Sequence, residues 1–208
     1  MTVSLALFDY IPVTMFLIAA IILQRCLYNK MSKGAFALFS SGTIFVFISG
    51  FYKATWRLLY AAGICDLEKL NKGFMPMQST AFMLAGIAII ALLLAKQETK
   101  DEPLYMAAVP AVFSGTIIFV LFDCIGIAGF CGGLAVIASM MKKKSAIPFF
   151  ILSGIGLLGM GYLASRNSDS ALMNWIEEIV NCVAEGSLLT GSLILKKAGL
   201  REFRLFGK

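Results

Sequence analysis

The chain has 208 residues, of which 59% are hydrophobic and only 14% charged, with a mean hydropathy of +0.85. So few charges cannot cover the surface of a soluble domain. The formal net charge of +6 sits in short basic runs at the ends of apolar stretches, which is a mark of membrane topology and speaks against a nucleic-acid partner.

The apolar residues gather into stretches of about 17 to 25 residues, long enough to cross a hydrocarbon core of about 30 Å as helix. The first span is expected at 4–26 and the second at 35–60. The first has an acidic rather than a basic leader and is followed by further spans, so it is expected to be retained. A polar outer segment, AAGICDLEKLNKGF, leads to a third span at 75–95, and KQETKDEP opens a fourth at about 103–122. The fifth is expected at 125–141, the sixth at 147–165 and the seventh at 171–195. The fold class expected is therefore an all-α polytopic membrane protein, a single transmembrane domain over 1–208 with seven spans.

Most of the basic residues fall on one side of this arrangement: Arg25, Lys30, Lys33, Lys96, Lys100, the run Lys142 to Lys144, Lys196, Lys197, Arg201, Arg204 and Lys208. The other side holds Lys53, Arg57, Lys69, Lys72 and Arg166. The positive-inside bias then places the N-terminus outside and the C-terminus in the cytoplasm of a multi-pass protein of the cell membrane. That orientation requires an odd number of spans.

A weak repeat accompanies the pattern. KGAFALFSSG, ending at Gly42, aligns with SAIPFFILSG, ending at Gly154, and further on, in a register shifted by two residues, Glu68, Asn71 and Thr80 fall on Glu178, Asn181 and Thr190. The implied plan is 3+1+3, with parallel halves at 1–95 and 125–196 joined by the fourth helix. That layout resembles the sugar-transporting SWEET family and the microbial rhodopsins. The resemblance extends to layout alone. The seventh segment, NWIEEIVNCVAEGSLLTGSLIL, lacks the lysine that retinal needs, and MPMQ near Gln78 is a poor substitute for the proline-glutamine pair of a SWEET-like protein.

The chain contains no histidine, which removes the Ser-His-acid and Cys-His forms of nucleophilic catalysis. Its five cysteines form no CxxC pair, so no metal site and no cofactor is expected. Cys65 and Cys124 both fall near the outer surface, where a disulfide is one option and free thiols the other.

The candidate ligand-binding residues lie on two helices. In the seventh, Asn174, Glu178, Asn181 and Glu185 recur at spacings of four, three and four, which lays them along one face. A carboxylate facing lipid is expensive, so Glu185 should face the bundle interior. Glu177 is one position off that stripe; it and Glu178, with Asp9 and Asp123, have the solvated outer interface as their default place. In the second helix, Lys53 and Arg57 are one turn apart beside Tyr52, Trp56 and Tyr60, and Ser49 shares a face with Lys53 and Trp56. Lys53 is expected to neutralise Glu178 or Glu185, or to hold the anionic end of a ligand.

The glycines of SGIGLLGMGY, together with Gly129 and Gly133, read as helix-packing positions. The leading functional reading is a transporter or facilitator of a small polar or zwitterionic solute, with Glu185 as the group for any proton coupling. The alternatives are a ligand-binding receptor or substrate-capturing subunit with a cytoplasmic partner, and, more weakly, a lipid-modifying membrane enzyme using the carboxylates. Membrane lipids are expected contacts, and a second copy of the chain or another membrane protein is a candidate partner.

Overall fold

The computed structural model describes residues 2–94, 116–164 and 171–205. Among these no strand occurs; the chain is helical throughout, in the order α1 (Val3–Phe8), α2 (Tyr10–Leu27), α3 (Lys33–Ala61), α4 (Glu68–Leu94), α5 (Thr116–Ile127), α6 (Gly133–Met140), α7 (Ile147–Ala164) and α8 (Ala171–Lys197). A π-helical turn, Ala128–Gly132, joins α5 to α6, and a 3-10 turn, Lys144–Ala146, precedes α7.

Six candidate spans result, each long and apolar enough to cross a membrane: Val3–Leu27, Lys33–Ala61, Glu68–Leu94, Ile118–Met140, Lys144–Leu163 and Leu172–Lys197. Their outward faces carry exposed apolar side chains such as Ile21, Phe45, Ile87, Leu121, Ile155 and Ile179. Water would penalise such a belt and lipid satisfies it. The chain is built as a multi-pass membrane protein.

The helix ends follow from local sequence. Ser32 caps α3, its Oγ accepting from Ala35 N–H at 3.2 Å. At the far end Gly63 takes the left-handed conformation (φ 67°), so that Ile64 N–H reaches Leu59 O at 3.1 Å and Gly63 N–H reaches Tyr60 O at 3.1 Å, a Schellman closure. Gly199 (φ 81°) closes α8 in the same way, with Leu200 N–H donating to Leu195 O at 3.0 Å.

Two expected boundaries shift. The third span starts at Glu68 rather than near 75, because part of the polar stretch LEKLNKGF is itself helical, with an exposed Glu68–Lys72 pair at 2.8 Å one turn apart. Residues 122–125, read as the break between the fourth and fifth spans, lie inside α5. Asp123 and the glycines that follow look like a turn in sequence; the irregularity they introduce is the π-helical turn at Ala128–Gly132. Of the expected fourth span, residues 103–115 lie outside the described residues.

Side-chain contacts fix the helix directions. Tyr10 meets Thr55 at 3.0 Å while Gln24 donates to Thr43 at 2.8 Å, so α2 and α3 are antiparallel. Gly42 lies against Ala81 and Ala85, and Lys53 lies over Phe74, so α3 and α4 are antiparallel. Gly154 lies against Cys131 and Gly161 against Asp123, and then Gly156 against Ala184 and Gly191 against Phe150; both α7 pairings are antiparallel.

Two pairings run parallel. Phe8 packs on Trp175 at 5.8 Å and Met15 on Gly186, so α2 and α8 point the same way. Along α4 and α5–α6, Gly126 lies against Phe82 and Met83, Gly129 against Gly86 and Ile90, and Gly133 against Ile89. The chain therefore leaves α4 at one end of the bundle and enters α5 at the other. The N-terminus of α1 and the C-terminus of α8 are likewise at opposite ends.

The two ends of the bundle differ in chemistry. One end carries the basic turn Arg25–Lys33, the run Lys142–Lys144 and the tail from Lys196 to Arg204, and the half of the bundle beneath it is filled by fully buried Phe39, Phe82, Phe130, Phe150, Leu27 and Leu195. Lys30 Nζ donates to the Phe203 carbonyl, and Leu200 is fully buried, so the tail docks on this end. The buried charges lie in the other half.

Candidate ligand-binding site

A cavity with about 80 Å³ of space for the centre of a water-sized molecule lies in the basic-poor half. Every candidate span contributes to its wall: Asp9 and Phe16 from the first, Lys53 and Arg57 from α3, Phe74 and Gln78 from α4, Asp123 from α5, Leu157 and Gly161 from α7, and Glu178, Asn181 and Glu185 from α8. The i, i+3, i+7 spacing of the α8 residues brings them onto one wall. Pro76 interrupts α4 beside the cavity, and Thr80 Oγ1 donates to Pro76 O at 2.8 Å within the distorted turn.

Arg57 organises one side of the site. It donates through one guanidinium nitrogen to Asp9 Oδ2 at 3.0 Å and to Glu178 Oε1, and through the other to Glu177 Oε2 at 3.3 Å. All four residues are less than a tenth exposed. Planar guanidinium geometry permits this bridging, whereas an ammonium would not hold the same fork. The cluster ties α3 to the first span and to α8.

Lys53 is placed differently. It makes no ion pair within 4 Å among the described residues, and its Nζ stands 4.4 Å from the centroid of the Phe74 ring. The expected neutralisation of Glu178 is performed by Arg57, because that position, one turn nearer the helix end, faces α8.

Among the described residues, four carboxylate oxygens at the site are buried without a donor: Asp9 Oδ1, Asp123 Oδ1, Glu178 Oε2 and Glu185 Oε2. Asp123 and Glu185 are each 6% exposed and form no ion pair among the described residues. Counting Glu177, the site has five carboxylates against Lys53 and Arg57, a formal excess of three negative charges if all are ionised. Buried charges of one sign are expensive unless something compensates them. The described residues therefore leave the site short of donors and positive charge.

Of the residues singled out from sequence, Lys53, Arg57, Glu178, Asn181 and Glu185 line the cavity together. Ser49, Trp56 and Asn174 do not. Ser49 is buried, but its Oγ donates to Val46 O at 2.8 Å, a local bond to its own helix. Trp56 turns toward the helix end, donating to Asp66 Oδ1 at 2.9 Å and stacking on Tyr60 at 5.8 Å.

Asp9, Asp123, Glu177 and Glu178, given a solvated interface as their default, are instead buried. The signal for the first two was present: each is a single acidic residue flanked on both sides by apolar helix, as in SLALFDYIPV and TIIFVLFDCIGI. Cys65 and Cys124 are both free and exposed. No protein-family model matches the chain, and no curated protein or solved structure shows a match to it.

Proposed function

We propose that the chain is a multi-pass transporter or facilitator of a small polar solute in the cell membrane, with the cavity as its solute site. The observation that carries this reading is a cavity walled by all six candidate spans of the described residues, which leave four carboxylate oxygens there without a donor. A purely structural polar cluster would be expected to satisfy its own members; intramembrane acids left open to a cavity mark solute and ion paths. Glu185, remote from Arg57's cluster, is the group through which a proton would couple to occupancy.

The helix directions support an odd number of crossings. The parallel run of α4 and α5 supports the expectation of seven crossings, and the basic-residue bias supports an N-terminus outside. The first three and the last three described spans then repeat the same sequence of directions, the 3+1+3 plan. The apolar half, with Phe39, Phe82 and Phe130 fully buried, closes the cytoplasmic side, and transport requires the two groups to move so that this plug opens.

The test is solute uptake by the purified chain in proteoliposomes, with Glu185→Gln beside it. Saturable uptake that the variant loses supports the reading. Saturable binding by a folded chain that moves nothing across the bilayer rejects transport and favours the substrate-capturing alternative.

A further inference from the structure

We infer that the solute taken into this cavity is a small organic ammonium compound, its N–H groups donating to Asp123 and Glu185. The inference rests on the solute-site reading above and names its ligand class. Four observations carry it.

Arg57 is already committed to three carboxylates, so it offers little to an anionic ligand. The other cation at the cavity among the described residues, Lys53, is a single charge held over Phe74. On the other side stand two carboxylates more than nine-tenths buried, Asp123 and Glu185, both lining the cavity and both with an oxygen lacking a donor. A ligand carrying positive charge reduces the local imbalance; a neutral or anionic one leaves or worsens it.

The distribution of the acceptors separates a polyatomic cation from a metal ion. Among the described residues no three acidic or thiol side chains form a metal-binding group, and the two open carboxylates stand on different helices, Asp123 on α5 and Glu185 on α8. An ammonium group presents N–H donors in several directions and reaches separated acceptors. The size also sets a limit. With about 80 Å³ available and about 10–15 Å³ per water-sized occupant, the space fits roughly five to eight non-hydrogen atoms. The apolar part of such a ligand would lie against Phe16 and Leu157, which share the wall.

The experiment is thermal unfolding of the full chain in detergent, titrated with n-butylammonium, butan-1-ol, butanoate and 4-aminobutanoate. A ligand that binds only the folded state raises its stability in proportion to the logarithm of saturation. Saturable stabilisation by n-butylammonium is expected, with butan-1-ol and butanoate at least tenfold weaker. Glu185→Gln and Asp123→Asn should each weaken n-butylammonium at least tenfold. The ligand-free melting of each variant shows that it is folded, and the two acidic positions test the site independently.

Binding of 4-aminobutanoate but not n-butylammonium, lost in Lys53→Gln, would overturn the ammonium assignment and make the solute a zwitterion, leaving the transport reading intact. Equal binding of butan-1-ol, or no stabilisation by any of the four, would also overturn it. If n-butylammonium binds as expected but proteoliposomes do not take it up, the ligand class stands and the transport reading fails.

Discussion

Replacing Arg57 by methionine removes the cation that three buried carboxylates share while keeping a flexible stem of similar reach. Asp9, Glu177 and Glu178 are 5%, 8% and 2% exposed, so none can turn to water without opening the bundle. Removing one partner of a buried ion pair costs about 3–5 kcal/mol, because the other charge is left uncompensated. For a chain of this size that corresponds to a fall in melting temperature of roughly 6–20 °C, taking about 2–4 °C per kcal/mol. Arg57→Lys should fall between the two, since an ammonium keeps the charge but cannot serve the same fork; losing one charge-assisted bond costs about 1.5–3 kcal/mol. The decisive comparison is a double-variant cycle. If the penalty comes from stranded carboxylates, Glu178→Gln must recover part of the stability lost in Arg57→Met, with a coupling of about 0.5–3 kcal/mol. Unchanged melting in Arg57→Met, or a double variant no better than the single one, would refute the electrostatic account and leave only lost packing.

Gly126→Ala should destabilise the chain by about 1–3 kcal/mol, since its Cβ would run into the backbone of Phe82 and Met83 on α4, whereas Gly159→Ala, with nothing within 4 Å, should be neutral or stabilising by up to about 1 kcal/mol; parallel melting curves compare them. Lys30→Met should release the tail by removing the donor to the Phe203 carbonyl, seen as faster hydrogen exchange over residues 198–205 with the spans unchanged. Cys65, exposed beside the end of α3, should react with a membrane-impermeant thiol reagent added to intact cells. Lys143→Cys should react only after permeabilisation, and the reverse pattern would invert the proposed orientation.

The spans were legible in the sequence because hydrocarbon thickness sets their length directly: Ile147–Ala164 and Ala171–Lys197 lie within a residue or two of the expected bounds. What misled was chemistry that does not obey the usual cost rule at face value. Asp123 reads as the end of a span, yet it lies inside α5 and is buried, while Gly129 and Gly133, read as helix-packing positions, lie with Gly126 against α4. Sequence periodicity found the face of α8 that holds Glu178, Asn181 and Glu185, since a helix repeats every 3.6 residues wherever it sits. Periodicity cannot report azimuth between helices, so it paired Glu178 with Lys53 when the side chain that reaches across is Arg57.

The same distinction separates the two sets of acids at the site. Asp9, Glu177 and Glu178 are bound by Arg57 into a cluster that connects the first span, α3 and α8. Asp123 and Glu185 receive no such partner from the described residues, yet they are as deeply buried. Because buried carboxylates without compensation cost the fold energy, their placement fits the proposal that occupancy supplies what the described residues do not. A solute that brings positive charge into the cavity would then stabilise the occupied arrangement against the empty one. That difference is the thermodynamic condition for occupancy to drive a change of state.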